Sequence, residues 1–467
     1  MYKNKSLFID NKWIKVKTND VFTFKNYKNL RIDIKNPKKD KIKDLVESSK
    51  KSFDIWKFKT NQEKSKILKI IANIILNKKV ILARQEIFDT GKSYSQAIDE
   101  ISYCYKLWSH ASRITLNKKD KLVKLKKNTY CKIINEPIGV TSVIIPWNFP
   151  LLVMSERLPY ILGAGCVGIL KPSEYASAAL IKFVELIKAD RRIPKGLINL
   201  ITGDAQVGTE LVLNKNVKCI SFTGSTTAGK KVMKKSSSNL KRLSLELGGK
   251  NPIIIFNDAD IKKSVENVIT SFTHNSGQCC VGASRIFVEE AVYQKFRLLL
   301  KKDLDKNKKL LQISNMMQYE KIFKYLKKNS NILGKKVFYG QFPRIKNKYL
   351  KIRPIVFENL SINNDIHKTE LFGPIITIES FKDKFNLKKI LDESNYGLAC
   401  MIWSKNIKKT IEFTRGIQIG RLWINGNIKQ NYANVPIGGF KWSGIGRETG
   451  DNALENYSES KSIIINK

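Results

Sequence analysis

Histidine is scarce in this sequence, and cysteine never occurs in the spacing of a metal site. The 467 residues include three isolated histidines and seven scattered cysteines, with no Cys-x-x-Cys or mixed Cys/His pattern. Structural zinc requires clustered thiolate and imidazole ligands, so we expect no bound metal. An odd number of scattered cysteines is typical of a reduced, intracellular compartment and not of a disulfide framework.

Long apolar runs are also absent. The first residues, MYKNKSLFIDNKW, lack the apolar stretch of a secretory signal, and the apolar segment at 146–171 is interrupted by Glu156 and Arg157. A membrane-spanning helix needs about 20 predominantly apolar residues. The sequence therefore predicts a cytoplasmic protein with no membrane partner.

Acidic residues are few relative to basic ones. The chain contains 85 Lys and Arg but only 41 Asp and Glu, which gives a formal net charge of +44. Charges of this size occur in proteins that bind nucleic acid or anionic membranes. Here the lysines are spread over the whole chain, and no stretch interleaves basic with aromatic residues as a single-strand binding surface does. We therefore expect solvated surface lysines and no nucleic-acid partner.

A Gly-x-Gly-x-x-Gly motif is missing as well, but two other glycine turns are present at Gly203–Gly208 and Gly224–Lys230. The second is close to a P-loop, yet Lys231 stands where that loop needs a hydroxyl for magnesium, which argues against an NTPase. As a strand-to-helix turn it offers N–H groups and the Ser225 hydroxyl to the pyrophosphate of a dinucleotide. The alternative is a tight turn in which Ser225 only caps the helix.

Short strands alternate with helices after Pro137, which predicts an α/β fold with a parallel sheet covered on both faces. Ligands of such sheets bind at the carboxyl ends of the strands. The predicted strands are 140–145, 167–171, 197–202, 218–223 and 243–247, then 253–256, 285–288 and 420–425, and the predicted helices are 176–188, 206–213 and 226–235. Elsewhere we predict a hairpin at 7–16, helices from Asp40, over 67–88 and over 95–114, strands at 123–134 and 460–466, and surface helices and loops at 301–351.

An adjacent pair of cysteines, Cys279 and Cys280, lies in the polar, glycine-containing segment Ser271–Arg285. Such a niche suits a reactive thiolate, and Glu246 in the upstream segment LELGGKNP supplies a carboxylate. An attacking thiol and a carboxylate that activates water are sufficient for acyl transfer. A buried cysteine without a chemical role and a strained disulfide between the two neighbours are the alternatives.

Several motifs together resemble the aldehyde dehydrogenase superfamily. They occur in the family's order and span almost the whole chain: PWNFP (146–150), KPSE (171–174), FTGS (222–225), LELGGKNP (245–252), SGQCC (276–280), ELFGP (370–374) and GGFKWSGIGRE (438–448). The resemblance implies an α/β fold with a Rossmann-type cofactor domain at 1–120 and 138–247, a catalytic domain at 248–445, and a β oligomerisation arm at 121–137 and 446–467. It also implies a homodimer or homotetramer.

The resemblance assigns the chemistry to Cys280, Glu246 and Asn148. Cys280 attacks an aldehyde, the Asn148 amide and the Cys280 backbone N–H stabilise the oxyanion, hydride passes to NAD, and Glu246 activates the water that releases the acid. The family pattern, and not the local sequence, selects Cys280 over Cys279. We expect a raised pKa for Glu246. The residues alone favour a different interpretation of Asn148, as a turn residue between Pro146 and Pro150.

NAD is the cofactor that the resemblance implies. Glu174 is expected to accept hydrogen bonds from the adenosine ribose and to repel a 2′-phosphate, which favours NAD over NADP, although Lys171 partly offsets that repulsion. Glu370 is expected to hold the nicotinamide ribose, with Phe372 against the ring. The predicted cofactor-binding residues are Lys171, Ser173, Glu174, Gly203, Phe222, Gly224, Ser225, Glu370 and Phe372.

For the aldehyde substrate the sequence gives two candidate residues, Glu156 and Tyr432. Glu156 stands where many relatives carry an aromatic residue of the substrate tunnel, and a carboxylate there would attract a cationic aldehyde such as betaine aldehyde. The GGFKWSGIGRE segment also looks closest to betaine-aldehyde-type relatives. Alternatively, Glu156 pairs with Arg157, Tyr432 only packs, and the substrate is an aliphatic aldehyde or a semialdehyde.

Two rival functions follow from the same residues. An acyl-transferring enzyme that passes the thioester to CoA usually lacks the deacylating carboxylate, so Glu246 argues against it. A catalytically inactive binding protein is opposed by the joint presence of Cys280, Glu246, Asn148 and Glu370. The chain also departs from the family in one place, because 301–317 lacks the usual Gly-Asp-Pro…Gly-Pro loop.

Overall fold

The computed structural model describes residues 5–306, 308–342 and 349–466. Its strands are β1 Leu7–Ile9, β2 Lys12–Trp13, β3 Val21–Lys25, β4 Arg31–Lys35, β5 Lys121–Lys126, β6 Thr129–Pro137, β7 Val140–Ile145, β8 Val167–Pro172, β9 Ile198–Ile201, β10 Val217–Thr223, β11 Arg242–Glu246, β12 Asn251–Ile255, β13 Ala283–Glu289, β14 Leu311–Gln312, β15 Val337–Tyr339, β16 Lys351–Ile352, β17 Ile355–Glu358, β18 Ile375–Phe381, β19 Tyr396–Gly397, β20 Ala399–Trp403, β21 Arg421–Ile424, β22 Phe440–Lys441, β23 Gly444–Ile445 and β24 Ser458–Asn466.

The α-helices of the described residues alternate with these strands. They are α1 Lys39–Trp56, α2 Asn61–Asn77, α3 Lys79–Thr90, α4 Tyr94–Leu116, α5 Pro150–Ser155, α6 Leu158–Ala164, α7 Ala178–Lys188, α8 Ala205–Leu213, α9 Thr226–Ser236, α10 Ile261–Thr273, α11 Glu290–Lys306, α12 Met316–Lys328, α13 Ser330–Leu333, α14 Lys384–Asp392 and α15 Ile407–Thr414. The α/β class predicted from the sequence is confirmed.

The first large sheet carries one wall of the site. Its strand order is β2-β1-β9-β8-β7-β10-β11-β23, and the five strands β7 to β11 are parallel. In the register of β10 with β11, Thr223 lies opposite Glu246. The short strand β23 then pairs antiparallel with β11, which places Gly444 opposite Glu246. The segments that follow β7, β8, β10 and β11 therefore meet at one edge of the sheet.

The second large sheet has the order β15-β17-β18-β13-β12-β20-β21 and is parallel except for β15. It contains the three strands that the sequence predicts in this part, at 253–256, 285–288 and 420–425. Cys280 lies in the connection between α10 and β13. This sheet therefore carries the opposite wall of the site.

The third sheet has the order β24-β6-β5 and is antiparallel. The segment 123–134, which has strand character and on sequence alone is equally a surface hairpin, forms the hairpin of β5 and β6. The predicted strand at 460–466 lies within β24, which pairs along its whole length with β6 of the same chain. The limits of the three predicted domains stay a prediction.

Two sequence-based predictions of local structure were wrong. The helix predicted over 67–88 is two helices, α2 and α3, since the backbone leaves the helical region at Lys78. The segment 301–351 is not only surface, because one face of α12 buries Tyr319, Ile322 and Leu326 in a separate hydrophobic cluster. The abundant lysines of the exposed face of α12 obscure that apolar pattern. Residues 307 and 343–348 lie outside the described residues.

The cysteines and the helices bear on two expectations from the sequence. All seven cysteines are free, so Cys279 and Cys280 do not form a disulfide. Within the described ranges, no helix is long and apolar enough to cross a membrane.

Candidate active site

A cleft of about 610 Å³ opens at the carboxyl ends of β7, β8 and β10. Most of the residues predicted for catalysis and cofactor binding line it: Asn148, Lys171, Ser173, Glu174, Phe222, Gly224, Ser225, Cys280, Glu370 and Phe372. Four predicted residues are not among its lining residues: Gly203, Glu246, Glu156 and Tyr432. The structure thus brings together groups that lie more than 200 positions apart in the chain.

The loop that carries Cys280 has an unusual backbone. Asn275, Ser276 and Gly277 have φ values of 46°, 58° and 73°, so three successive residues adopt the left-handed conformation. A side chain at Gly277 would overlap the backbone of Gly373, which shows how closely this loop packs on the segment after Glu370. The loop is therefore fixed against the far side of the cleft.

Cys280 is half-buried in this loop, whereas Cys279 is buried. A hydrogen bond with Cys279, burial, and the negative charges of Glu246 and Glu156 raise the pKa of the Cys280 thiol well above its usual value. The thiol is consequently protonated at neutral pH, and its attack on a carbonyl requires a base. The Cys280 carbonyl is held at 2.6 Å by the side-chain amide of Asn251.

Asn148 is almost completely buried and follows β7. Its Nδ2 atom donates to the carbonyl oxygen of Gln278 at 3.0 Å, two residues before Cys280. A side-chain amide has two N–H groups, so one remains to donate to a ligand in the cleft. The structure therefore places a directed donor, carried by the first sheet, in contact with the Cys280 loop of the opposite wall.

Glu246 is the last residue of β11 and is buried behind Leu247 and Gly248, which do line the cleft. Burial raises the pKa of Glu246 to about 8. The negative charges of Glu448 and Glu156 also raise this pKa, whereas the positive charge of Arg157 lowers it. The raised pKa agrees with the expectation from the sequence.

A buried polar network acts on Glu246, and of its contacts the sequence suggested only the pair of Glu156 with Arg157. Glu448 accepts hydrogen bonds from Ser244 Oγ at 2.5 Å and from Tyr457 Oη at 2.8 Å, and it lies 3.9 Å from Nε of Arg157. Arg157 also donates to Glu156 at 3.3 Å. The sequence did contain a signal for this network. Arg447 and Glu448 end the glycine-rich motif, and Arg157 lies in an otherwise apolar segment.

The turn after β10 has the features that suit a phosphate. Gly224, Ser225, Thr227 and Ala228 line the cleft at the N-terminus of α9. Ser225 caps this helix, because its Oγ accepts from the Ala228 N–H at 3.3 Å. The cap and the phosphate site are compatible, since the Ser225 hydroxyl hydrogen stays available as a donor.

Two carboxylates add hydrogen-bond acceptors to the cleft. Glu174 lies 3.6 Å from Nζ of the buried Lys171. Glu370 accepts from the Gly249 N–H at 3.0 Å, and its carboxylate lies so close to Gly248 that any side chain there would overlap it. The cleft thus holds a helix N-terminus for phosphate and two carboxylates that can accept hydrogen bonds from ribose hydroxyls. The glycine backbone beside Glu370 leaves room for the ligand, so the cleft fits a dinucleotide.

Of the remaining predicted residues, Gly203, Glu156 and Tyr432 do not line the cleft, whereas Phe372 does. Gly203 is in the turn between β9 and α8, where Ala205 and Gly208 line the cleft in its place. Tyr432 is 56% exposed. Glu156 is largely buried, and its charge acts on both Cys280 and Glu246. Phe372 faces Trp147 edge-on at 5.6 Å in the lining of the cleft.

Comparisons with known proteins agree with this site. The family model described as "Aldehyde dehydrogenase family" matches residues 17–463. The chain is 32% identical to betaine aldehyde dehydrogenase of Bacillus subtilis, over 99% of this chain and 98% of that protein. It is 33% identical to an aldehyde dehydrogenase of Davidiella tassiana, over 98% and 95% of the two chains.

Solved structures are similar over the same length. The structure superposes with a TM-score of 0.93 and 30% identity on betaine aldehyde dehydrogenase of Staphylococcus aureus in complex with NAD⁺, covering 99% of this chain and 97% of that one. An NAD-dependent aldehyde dehydrogenase of Sinorhizobium meliloti gives a TM-score of 0.93 at 29% identity, covering 100% and 96%. The chain belongs to the aldehyde dehydrogenase family.

Proposed function

We propose that this aldehyde dehydrogenase oxidises a small aldehyde to its carboxylic acid with NAD, using Cys280 as the nucleophile and Glu246 as the base. The observation that carries the proposal is that Cys280 and Asn148 line the same cleft as the turn before α9, Glu174 and Glu370. A nucleophile, an oxyanion donor and a dinucleotide site in one cleft are the components that aldehyde oxidation requires.

The first step is attack by Cys280 on the aldehyde carbon. Because the thiol is protonated at neutral pH, it must lose its proton to form the C–S bond. Glu246, with its pKa of about 8, is a base of suitable strength. Transfer of the proton to Glu246 also removes the carboxylate charge that disfavours the thiolate.

The oxyanion that forms is stabilised by the free N–H of the Asn148 amide, together with the Cys280 backbone N–H. One such donor contributes about 3 kcal/mol to transition-state stabilisation. The hydrogen bond from Asn148 to Gln278 fixes the amide before the substrate arrives, so no reorganisation is needed.

The cofactor contributes one function: when bound, NAD⁺ accepts the hydride that leaves the thiohemiacetal carbon, which converts the adduct to a thioester. Lys171 and Glu174 would hold the adenosine ribose, the turn at Gly224–Ser225 the pyrophosphate, and Glu370 the nicotinamide ribose. After Glu246 has released the thiol proton to solvent, it takes a proton from water and the hydroxide attacks the thioester. The Cys280 thiolate that leaves takes this proton back from Glu246, which releases the acid and restores the thiol.

The assignment is tested by NADH formation with wild type, Cys280→Ala and the matched control Cys279→Ala. We expect no turnover with Cys280→Ala and retained turnover with Cys279→Ala, since only the first residue lines the cleft. Loss of turnover in both variants, or in neither, would contradict the assignment. A folded wild type that binds NAD⁺ but oxidises no aldehyde would favour the binding-protein alternative.

For the substrate we propose a small cationic aldehyde. Glu156 is a buried carboxylate whose charge reaches Cys280, and its ion pair with Arg157 at 3.3 Å neutralises it only in part because Arg157 is shared with Glu448. The similarity to the betaine aldehyde dehydrogenase of Bacillus subtilis supports the same class.

Betaine aldehyde and its neutral isostere 3,3-dimethylbutanal form a matched pair of substrates for this test. We expect kcat/KM to favour the cationic aldehyde in the wild type and this preference to fall in Glu156→Gln. An unchanged ratio in Glu156→Gln would mean that Glu156 serves only its pair with Arg157. A wild type that prefers the neutral aldehyde would contradict the cationic substrate class and favour an aliphatic aldehyde or a semialdehyde.

We also propose that the protein is a homo-oligomer through its third sheet. Leu122, Leu125 and Ile463 to Ile465 are between 40% and 65% exposed on the strands of this sheet. Contiguous exposed apolar residues of this kind mark protein interfaces. Light scattering should give a dimer or tetramer, and Ile464→Lys should lower the mass; a monomeric wild type would contradict the proposal.

A further inference from the structure

Lys92 is a buried cation that the chemistry described so far does not use. The helix α3 ends at Gly91, which has a φ of 75°, and α4 begins at Tyr94 with Ser93 as its N-cap. This short connection places the Lys92 side chain in the interior, with no exposed surface. An isolated buried ammonium group costs several kcal/mol in desolvation, so its contacts must compensate.

Two of these contacts are with carboxyl groups of the neighbouring helices. Nζ of Lys92 lies 2.5 Å from Oε2 of Glu100 and 3.5 Å from Oε1 of Glu86. Burial disfavours the charge on Lys92, but the two carboxyl groups outweigh it, and the pKa of Lys92 is raised. Burial also raises the pKa of Glu86, to about 8. Lys92 is therefore cationic at neutral pH, and its shorter contact is with Glu100, whose pKa is also raised by burial.

The third contact leads to the active site. Nζ of Lys92 donates to the backbone carbonyl oxygen of Asn148 at 3.2 Å. Of the three donors of this ammonium group, one goes to Glu100 and one to Asn148, while Glu86 lies 3.5 Å away at ion-pair distance without a hydrogen bond to it. The ammonium group also lies 4.5 Å from the ring centre of Phe149, the next residue. A buried ion pair is weak evidence for stability, so this arrangement suggests another role.

Asn148 is held at both ends by this arrangement. Its carbonyl oxygen accepts from Lys92 and also from Nδ2 of Asn275 at 3.1 Å. Its side-chain amide and that of Asn275 both donate to the carbonyl of Gln278, at 3.0 and 3.2 Å. The direction of the free Asn148 N–H thus depends on a backbone position that Lys92 fixes.

We propose that Lys92 is a positioning residue of the reaction, which holds the Asn148 carbonyl and thereby aims the Asn148 amide at the oxygen of the substrate attacked by Cys280. This inference rests on the proposed function. It assigns a role to a residue that does not line the cleft. A misplacement of about 1 Å at a reacting group can lower a rate by about 100-fold.

The experiment is a double-mutant cycle between Lys92 and Asn148. One perturbation of the cycle is the double substitution Lys92→Met with Glu100→Gln, which removes both charges of the buried ion pair at nearly constant side-chain volume. The other perturbation is Asn148→Ala. We expect kcat/KM to fall on the order of 10- to 100-fold when Asn148 is present. In the Asn148→Ala background we expect almost no further loss, because the group that Lys92 positions is gone.

Two controls separate positioning from folding. Glu100→Gln alone keeps the contact with Asn148, so it should retain most of kcat/KM. Lys92→Gln keeps an N–H donor without the charge, so it should be more active than Lys92→Met, whereas a purely electrostatic or structural role would make the two equal. NAD⁺ binding by fluorescence and the thermal midpoint should confirm that each variant is folded.

The outcomes are distinguishable. If Asn148→Ala leaves kcat/KM unchanged, the proposed role of Asn148 fails. If Asn148→Ala lowers kcat/KM but the Lys92 effect is the same in both backgrounds, Lys92 acts independently of Asn148 and the positioning role is overturned. Equal losses in Lys92→Gln, Lys92→Met and Glu100→Gln would mean that Lys92 and its two carboxyl neighbours contribute to stability alone.

Discussion

The Nε atom of Arg157 lies 3.9 Å from Oε1 of Glu448, and both side chains are almost completely buried. Their charges have opposite effects on the pKa of Glu246. Burial is the main cause that raises this pKa to about 8; the positive charge of Arg157 lowers it, and the negative charge of Glu448 raises it further. Since a base must be deprotonated to act, we expect kcat to rise with pH up to about 8 wherever deacylation limits the rate.

Glu448→Gln should move this pH profile to lower pH, because it removes a negative charge that favours the protonated form of Glu246. The measurement is kcat as a function of pH with saturating substrates. Ser244→Ala is the control, since it removes a hydrogen bond to Glu448 without removing the charge. An inflection that stays in place in Glu448→Gln would contradict the electrostatic role of this network.

Glu246→Gln should change the pH dependence of stability. The pKa of Glu246 is higher in the folded protein, about 8, than its ordinary value of 4.5, so the folded state binds this proton more tightly. Its contribution to the free energy of unfolding is complete below about pH 4.5 and is lost as pH rises to about 8, by about 1.4 kcal/mol per pH unit. Relative to wild type, Glu246→Gln should therefore gain in thermal midpoint from pH 5.5 to pH 8.5, and a constant difference would contradict this.

Cys279→Ala should make Cys280 more acidic. The hydrogen bond with Cys279 is the largest of the effects that raise the pKa of the Cys280 thiol. The rate of alkylation by iodoacetamide follows the thiolate, so its pH profile should shift to lower pH in the variant. Cys279→Ser, which replaces the thiol by a hydroxyl and so keeps a hydrogen-bonding group at this position, serves as the comparison. A profile that is the same in Cys279→Ala and wild type would show that burial alone sets the pKa.

Glu174→Gln should relax the preference for NAD over NADP. The carboxylate lies 3.6 Å from Lys171, so its removal leaves a buried cation facing the expected 2′-phosphate. We expect the dissociation constant of NADP⁺ to fall and that of NAD⁺ to rise, both measured by calorimetry. If NADP⁺ binding does not improve, Glu174 is not at the adenosine ribose.

Gly248→Ala should weaken NAD⁺ binding, because a side chain at this position would overlap the Glu370 carboxylate that we expect at the nicotinamide ribose. Gly334→Ala is the control, since nothing lies within 4 Å of a side chain there. Unchanged NAD⁺ affinity in Gly248→Ala would argue against a cofactor role of Glu370.

The alternation of strands and helices predicted the α/β class, whereas Asn148, Cys280 and Glu174 came to notice through motifs that resemble those of the family. The roles of Lys92 and Glu448 escaped notice for a physical reason, and Arg157 was noticed only as a partner of Glu156. Each depends on a partner in a different element, as in the contact between Ser244 and Glu448, 204 positions apart. A charged residue in a sequence predicts solvent exposure, and only the fold shows which few are buried.

The pairing of β23 with β11 has a consequence for the order in which the enzyme is made. The strand that ends in Glu246 is hydrogen-bonded on one side to β10 but on the other to Gly444 and Ile445, which leave the ribosome about 200 residues later. A nascent chain can assemble the strands β7 to β11 early, yet Glu246 stays at an open sheet edge until this late segment arrives. Chains that stop short of it should therefore expose that edge, which is a site for aggregation.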